Sequence, residues 1–118
     1  MQVKASLTVG QLVELIMKAK GISRKQLALE LGVSQPDVTM KLNASKNHMV
    51  ETVQKIFKAI DEDFIVLDQN MELRKIENMS VNTMSQLRKR LGKVYFQFTN
   101  GSVYEILPFD HFDPVDNF

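Results

Sequence analysis

Residues 23–43, SRKQLALELGVSQPDVTMKLN, write one helix-start signal twice, eleven residues apart. Ser23 is followed three places later by Gln26, with Ile22 before it and Leu27 after that glutamine; Ser34 is followed by Asp37, with Val33 and Val38 in the corresponding places. A serine ahead of a helix accepts from the third backbone N–H, while an acid or amide at that third position reaches back to the serine N–H. The apolar flanks then staple the chain where it enters the helix. Gly32, between the two copies, can take the left-handed conformation that stops the first helix. The stretch therefore predicts two short helices, from about Arg24 to Leu31 and from about Gln35 to Asn43, joined by a tight turn. Pro36 falls in the first turn of the second helix, where it has no hydrogen bond to lose.

Helices are expected on both sides of this pair. Thr8 and Gln11 form another capping pair, and Val9, Leu12, Leu15, Ile16 and Ala19 follow at helical spacing before Gly21. After the polar loop NASKNH, a further helix carries Val50, Val53, Ile56, Phe57 and Ile60 on one stripe, and the acidic run at 61–63 closes it. Beyond Phe64 the grammar changes. FIVLD is a short apolar and β-branched run, and ELRKI can return antiparallel to it. Residues 80–91 place Val81, Met84, Leu87 and Leu91 three and four apart, predicting one helix that stops at Gly92. KVYFQF and SVYEIL flank TNG, and Asn-Gly between alternating β-rich runs predicts a hairpin with a type I′ turn. The fold class expected is α+β: an N-terminal helical domain over residues 1–63 and a small lobe over 64–118 with one helix and a β-hairpin.

Charge separates the halves. Net charge is only +1, but residues 1–60 hold nine Lys or Arg against four acids, and residues 61–118 hold six against ten. The first half is thus expected to meet an anionic surface and the second to do something else. There is no cysteine, which excludes a disulfide framework and a cysteine-ligated zinc. No apolar run approaches the eighteen or so residues of a membrane span, and a cytoplasmic protein is expected.

The combination Gln26-Leu27-Ala28, Gly32-Val33-Ser34, Val38 and Leu42 resembles the helix-turn-helix of the Cro and phage-repressor family, also called the Xre family, over roughly residues 8–64. That resemblance implies a lambda-repressor-like domain of four to five helices whose third helix enters the major groove of double-stranded DNA, usually as a two-fold dimer. It also implies that Arg24, Lys25, Asn43 and Lys46 hold phosphates. The residues point the same way. Val38 and Leu42 turn inward on the third helix, so Gln35, Thr39 and Met40 lie on open faces. A glutamine can bond adenine bidentately, and a threonine or methionine can touch a thymine methyl. No arginine lies in this helix, so an arginine–guanine contact is not expected.

No nucleophile elbow, glycine-rich phosphate loop or placed carboxylate pair is present, so no enzyme, cofactor or metal site is expected. His48 and His111 lack partners at metal spacing and are read as surface or loop histidines. In the hairpin, Val94, Phe96, Phe98, Val103 and Leu107 are expected on one face, and Tyr95, Tyr104 and Ile106 on the other. Two apolar faces need two covers, and the helix at 80–91 supplies one. The second lobe is therefore expected to dimerise or bind a partner through Val94, Phe96, Phe98, Val103, Tyr104 and Leu107. The leading expectation is a sequence-specific transcriptional regulator, most simply a repressor. The alternatives are an antitoxin or phage-encoded inhibitor whose second lobe captures another protein, and a helical scaffold that has lost DNA binding.

Overall fold

Phe57, wholly buried on the fourth helix, is where the helices meet the sheet. The computed structural model describes residues 2–43 and 47–108. The order is β1 (Val3–Leu7), α1 (Val9–Lys20), α2 (Arg24–Leu31), α3 (Gln35–Lys41), α4 (Val50–Ala59), β2 (Phe64–Leu67), β3 (Leu73–Arg74), a 3-10 turn (Ile76–Asn78), α5 (Met84–Leu91), β4 (Tyr95–Phe98) and β5 (Val103–Ile106). The strands form one mixed sheet in the order β1-β5-β4-β2-β3. Phe57 packs edge-on against Phe64 and Phe96, with ring centroids 5.3 and 5.9 Å away, and against Phe98 at 5.5 Å. Phe64 stacks on Phe96 at 3.9 Å.

The starts of α1, α2 and α3 follow the capping chemistry read from the sequence, whereas the helix expected from residue 80 starts at Met84, because a further capping pair closes on Thr83 and leaves Val81 outside it. Thr8, Ser23 and Thr83 each accept from the third N–H of α1, α2 and α5, and Gln11, Gln26 and Gln86 each return the bond. Ser34 caps α3 by accepting from Asp37 N, whereas the Asp37 carboxylate turns to Lys41 one turn on, 3.7 Å away. Gly32 ends α2 at φ 71°, with Val33 N bonded to Ala28 O at 3.0 Å. α4 stops differently. Asp61 takes the left-handed conformation at φ 63°, and Lys20 closes the helix end by donating to Ile60 O at 2.7 Å while pairing with Glu62 at 2.8 Å.

Three readings are corrected by the packing. The buried stripe of α1 is Val9, Leu12, Val13 and Met17, so Leu15 and Ala19 face solvent. The helix rotated because Gly10 is buried against the end of α3, where a Cβ would collide with the Leu42 carbonyl. The hairpin forms, but not with a type I′ turn. Asn100 keeps a negative φ, Gly101 alone is left-handed at φ 89°, and Gly101 N bonds Phe98 O while Phe98 N bonds Ser102 O, both at 2.9 Å. This is a three-residue loop with a glycine bulge. The extra residue sets Phe96 opposite Tyr104 and Gln97 opposite Val103. A one-residue change of register exchanges the faces of a strand. Tyr104 and Ile106 consequently join Phe96 and Phe98 against the helices, and Val103 joins Tyr95, Leu67 and Met71 on the other face.

The core also does not divide at residues 63 and 64. One cluster of buried side chains runs from Val9 through Val53 and Phe57 to Phe96 and Ile106. β1, a strand not among the elements expected from the sequence, pairs parallel with β5, bringing Leu7 opposite Ile106. Ser6 Oγ donates to Glu105 at 2.8 Å across the same ladder.

The loop between β2 and β3 repeats the hairpin geometry without a glycine. Met71 N bonds Asp68 O, Asp68 N bonds Glu72 O, and Met71 occupies the left-handed position at φ 62°. The buried Asp68 carboxylate holds the loop by accepting from Asn70 N at 2.8 Å and Glu72 N at 3.1 Å and by pairing with Arg74 at 3.2 Å. The Glu72 N–H, opposed by burial and aided by Asn70 N and Arg74, holds this carboxyl below the usual carboxylate value.

Gly10→Ala is expected to cost about 1–3 kcal/mol through overpacking against the Leu42 backbone, read as a lower urea midpoint with unchanged helical circular dichroism. Asp68→Asn should destabilise the protein at neutral pH. Because the folded carboxyl titrates below its unfolded value of about 4, its stabilisation is present above that pH and disappears as pH falls through the folded value. Urea midpoints of wild type and variant should therefore converge at acid pH; a constant gap from pH 7 to 3 would remove the carboxylate from the account.

Candidate nucleic-acid interface

α3 is short, and its contribution to the core is small. Val38 is buried, Leu42 caps the C-terminus and is also buried, and Gln35, Pro36, Thr39 and Met40 are exposed. Met40 is 60% exposed, while Val38 and Leu42 anchor the helix. α2 lies against α3, with Leu27 and Ala28 buried in the same core as Val38. The sequence-predicted base readers Gln35, Thr39 and Met40 thus stand on the outward side of one helix. Spacing by four joins Gln35 to Thr39, and Met40 is the next residue.

Arg24, at the first position of α2, is half-buried and already engaged. Its Nη1 donates to Thr39 Oγ1 at 2.9 Å, and its Nη2 pairs with Glu14 on α1. One guanidinium therefore ties α1, α2 and α3 together at this surface. Glu14 carries no local sequence signal for this role, because only the packing of α1 beside α2 brings it to Arg24. Lys25 is exposed. Asn43 is exposed directly after α3, its N–H bonded to Met40 O at 3.2 Å. Lys46 lies outside the described residues, as do His111 and the acidic segment around it.

The chain after α3 is held by α5. Met84 N donates to His48 O at 2.9 Å, Ser85 N donates to Asn47 Oδ1 at 3.2 Å, and Val50 N donates to Asn82 O at 2.8 Å. Met49 and Thr83 form an isolated antiparallel bridge between the same segments. A cleft of about 30 Å³ lies at this junction, where Asn43, His48, Ser85 and Arg88 meet the start of α1 and the end of β5. His48 lies in the loop between α3 and α4, as one of its two expected placements had it, but is buried there rather than exposed. Partial burial lowers the Arg88 pKa from its ordinary value, and Glu105 opposes that shift. An arginine nevertheless stays protonated in proteins.

The hairpin residues expected to meet a partner are used inside the chain. Val94, Phe96, Phe98 and Val103 are buried, and Tyr104 and Leu107 are partly buried. The edge of β5 is covered by β1, which leaves the outer edges of β1 and β3 as the ends of the sheet. Among the described residues, no group of three or more His, Asp or Glu is placed to hold a metal ion, and no helix is long and apolar enough to cross a membrane. No family model, no curated protein and no solved structure matches the chain.

Proposed function

We propose that the protein is a sequence-specific double-stranded DNA-binding regulator, most simply a repressor, in which α2, the Gly32 turn and α3 act as a helix-turn-helix and α3 enters the major groove. The observation that carries this reading is the outward row Gln35, Thr39 and Met40 on a helix anchored by only Val38 and Leu42. That row offers an amide, a hydroxyl and a flexible apolar tip at the spacing of one helix face. These are the chemistries that read adenine edges and thymine methyls. Arg24, Lys25 and Asn43 border the row and supply phosphate contacts, which position a reader without specifying sequence. Arg24 must then share its guanidinium between a phosphate and its present partners, Glu14 and Thr39.

Two copies reading half-sites one helical turn apart give such a small domain useful specificity. With the hairpin committed to the core, the dimer in this reading forms across the outer edge of β1. That strand is five residues long and has no proline, its pairing with β5 regular from Ala5 to Leu7 beyond the irregularity at Lys4, and antiparallel pairing about a two-fold axis would join two five-stranded sheets.

Selection of bound duplexes from a random library, followed by mobility shift at stated salt, tests the central reading. Gln35→Ala should cost about 1–3 kcal/mol on the selected site and relax choice at one base pair; equal weakening on selected and random duplexes would show that Gln35 does not read bases. Sedimentation of the full chain at micromolar concentration should give twice the monomer mass. A monomer both free and on DNA removes the β1-edge dimer.

A further inference from the structure

We propose that α5 is a second DNA-contacting element, laying the stripe Ser85, Arg88 and Lys89 along the phosphate backbone that flanks the site read by α3. This rests on the DNA-binding reading above and extends the interface into the half of the chain whose charge balance argues against it. Over residues 61–118 the acids outnumber the bases, but four of the six bases fall between 88 and 93, on and just after one short helix.

Position turns that run into a surface. The first turn of α5 is bonded to Asn47 and His48, which follow α3 in the chain, through Ser85 N and Met84 N. Arg88 and Ser85 line the same cleft as Asn43, the residue that leaves α3. Successive residues of an α-helix turn by about 100°, so Ser85, Arg88 and Lys89 share one face. Leu87 and Leu91 are buried on another, and Arg90 stands across the helix from the cleft. Lys89 is exposed, and Arg88, which lines the cleft, keeps its charge with Glu105 as an acid acting on it electrostatically. The polar row from Asn43 through Asn47 and Ser85 to Arg88 and Lys89 thus runs outward from the end of α3 and gains positive charge as it goes. A sugar–phosphate backbone is the occupant complementary to such a row: three hydroxyl or amide side chains, then two cations, with no requirement for a base edge. Arg90 lies off the row and provides a control of equal charge on the same helix.

The test is the salt dependence of binding by the full chain to a duplex selected from a random library and long enough to extend one helical turn beyond the footprint. Lys89→Gln should reduce the slope of log affinity against log salt by about 0.9, the value of one phosphate contact, and should weaken selected and random duplexes alike. Arg90→Gln should leave the slope unchanged. Ser85→Asp, which places a negative charge in the first turn of α5 where it favours the helix, should weaken binding without lowering the thermal midpoint. A wild-type slope in Lys89→Gln, or equal losses in Lys89→Gln and Arg90→Gln, overturns the α5 contact while leaving the α3 reading intact. Failure of the wild-type chain to select any duplex overturns both.

Discussion

A single aromatic side chain couples the helical half of the molecule to its sheet. Phe57 leaves the stripe of α4 to sit among Phe64, Phe96 and Phe98, and edge-on aromatic contacts of this kind add to the area that each ring buries. α4 presents its other apolar residues, Val50, Val53 and Ile56, to the same core. The helix is therefore shared, one part of its stripe closing the helical cluster and another covering the sheet. Neither half has a complete core without it. The sheet in turn needs β1, which covers the edge of β5 and delivers the chain directly to the cap of α1 at Thr8.

This shared core decides what remains for the surface. α3 is held by two residues and the Gly10 contact, while the hairpin, with its dense aromatic content, is almost wholly consumed inside. Outward chemistry consequently concentrates on α2, α3 and the segment that follows them. There Arg24 joins three helices, and α5 fixes the departing chain through backbone and Asn47 bonds. The proposed reading surface is thereby backed by elements from both ends of the sequence, which favours a fixed geometry over an adaptable one.

The parts of the fold that were legible in the sequence share a short range. α3 and α4 bury the residues expected of them, Val38 and Leu42 on the one and Val50, Val53, Ile56, Phe57 and Ile60 on the other. α1 offered two overlapping apolar stripes, and the choice between Leu15 and Val13 fell to the close approach of Leu42 at Gly10. In the hairpin, Asn-Gly located the turn correctly, but one additional loop residue reversed the facing of β5 and exchanged Val103 for Tyr104 and Ile106 in the core. β1 carries a strand signal too short to stand alone. Val3, Ala5 and Leu7 alternate with Lys4 and Ser6, yet five alternating residues have no strand to join until β5 is formed far along the chain.

The sequence by itself determined where α1, α2 and α3 start and where α1 and α2 stop, since a Ser or Thr cap, its partner three residues on and a left-handed Gly act within about one turn of backbone. It also determined which residues α3 turns inward, and hence the outward row of Gln35, Thr39 and Met40. Only the tertiary structure decided that β1 and β5 lie side by side with Ser6 and Glu105, 99 positions apart, in hydrogen-bond contact. It alone brought Glu14 to Arg24 and Ser85 to Asn47. Caps are closed by neighbours that cannot be elsewhere, whereas strand order, register and cross-helix pairs are chosen by the competition of distant apolar surfaces for one core.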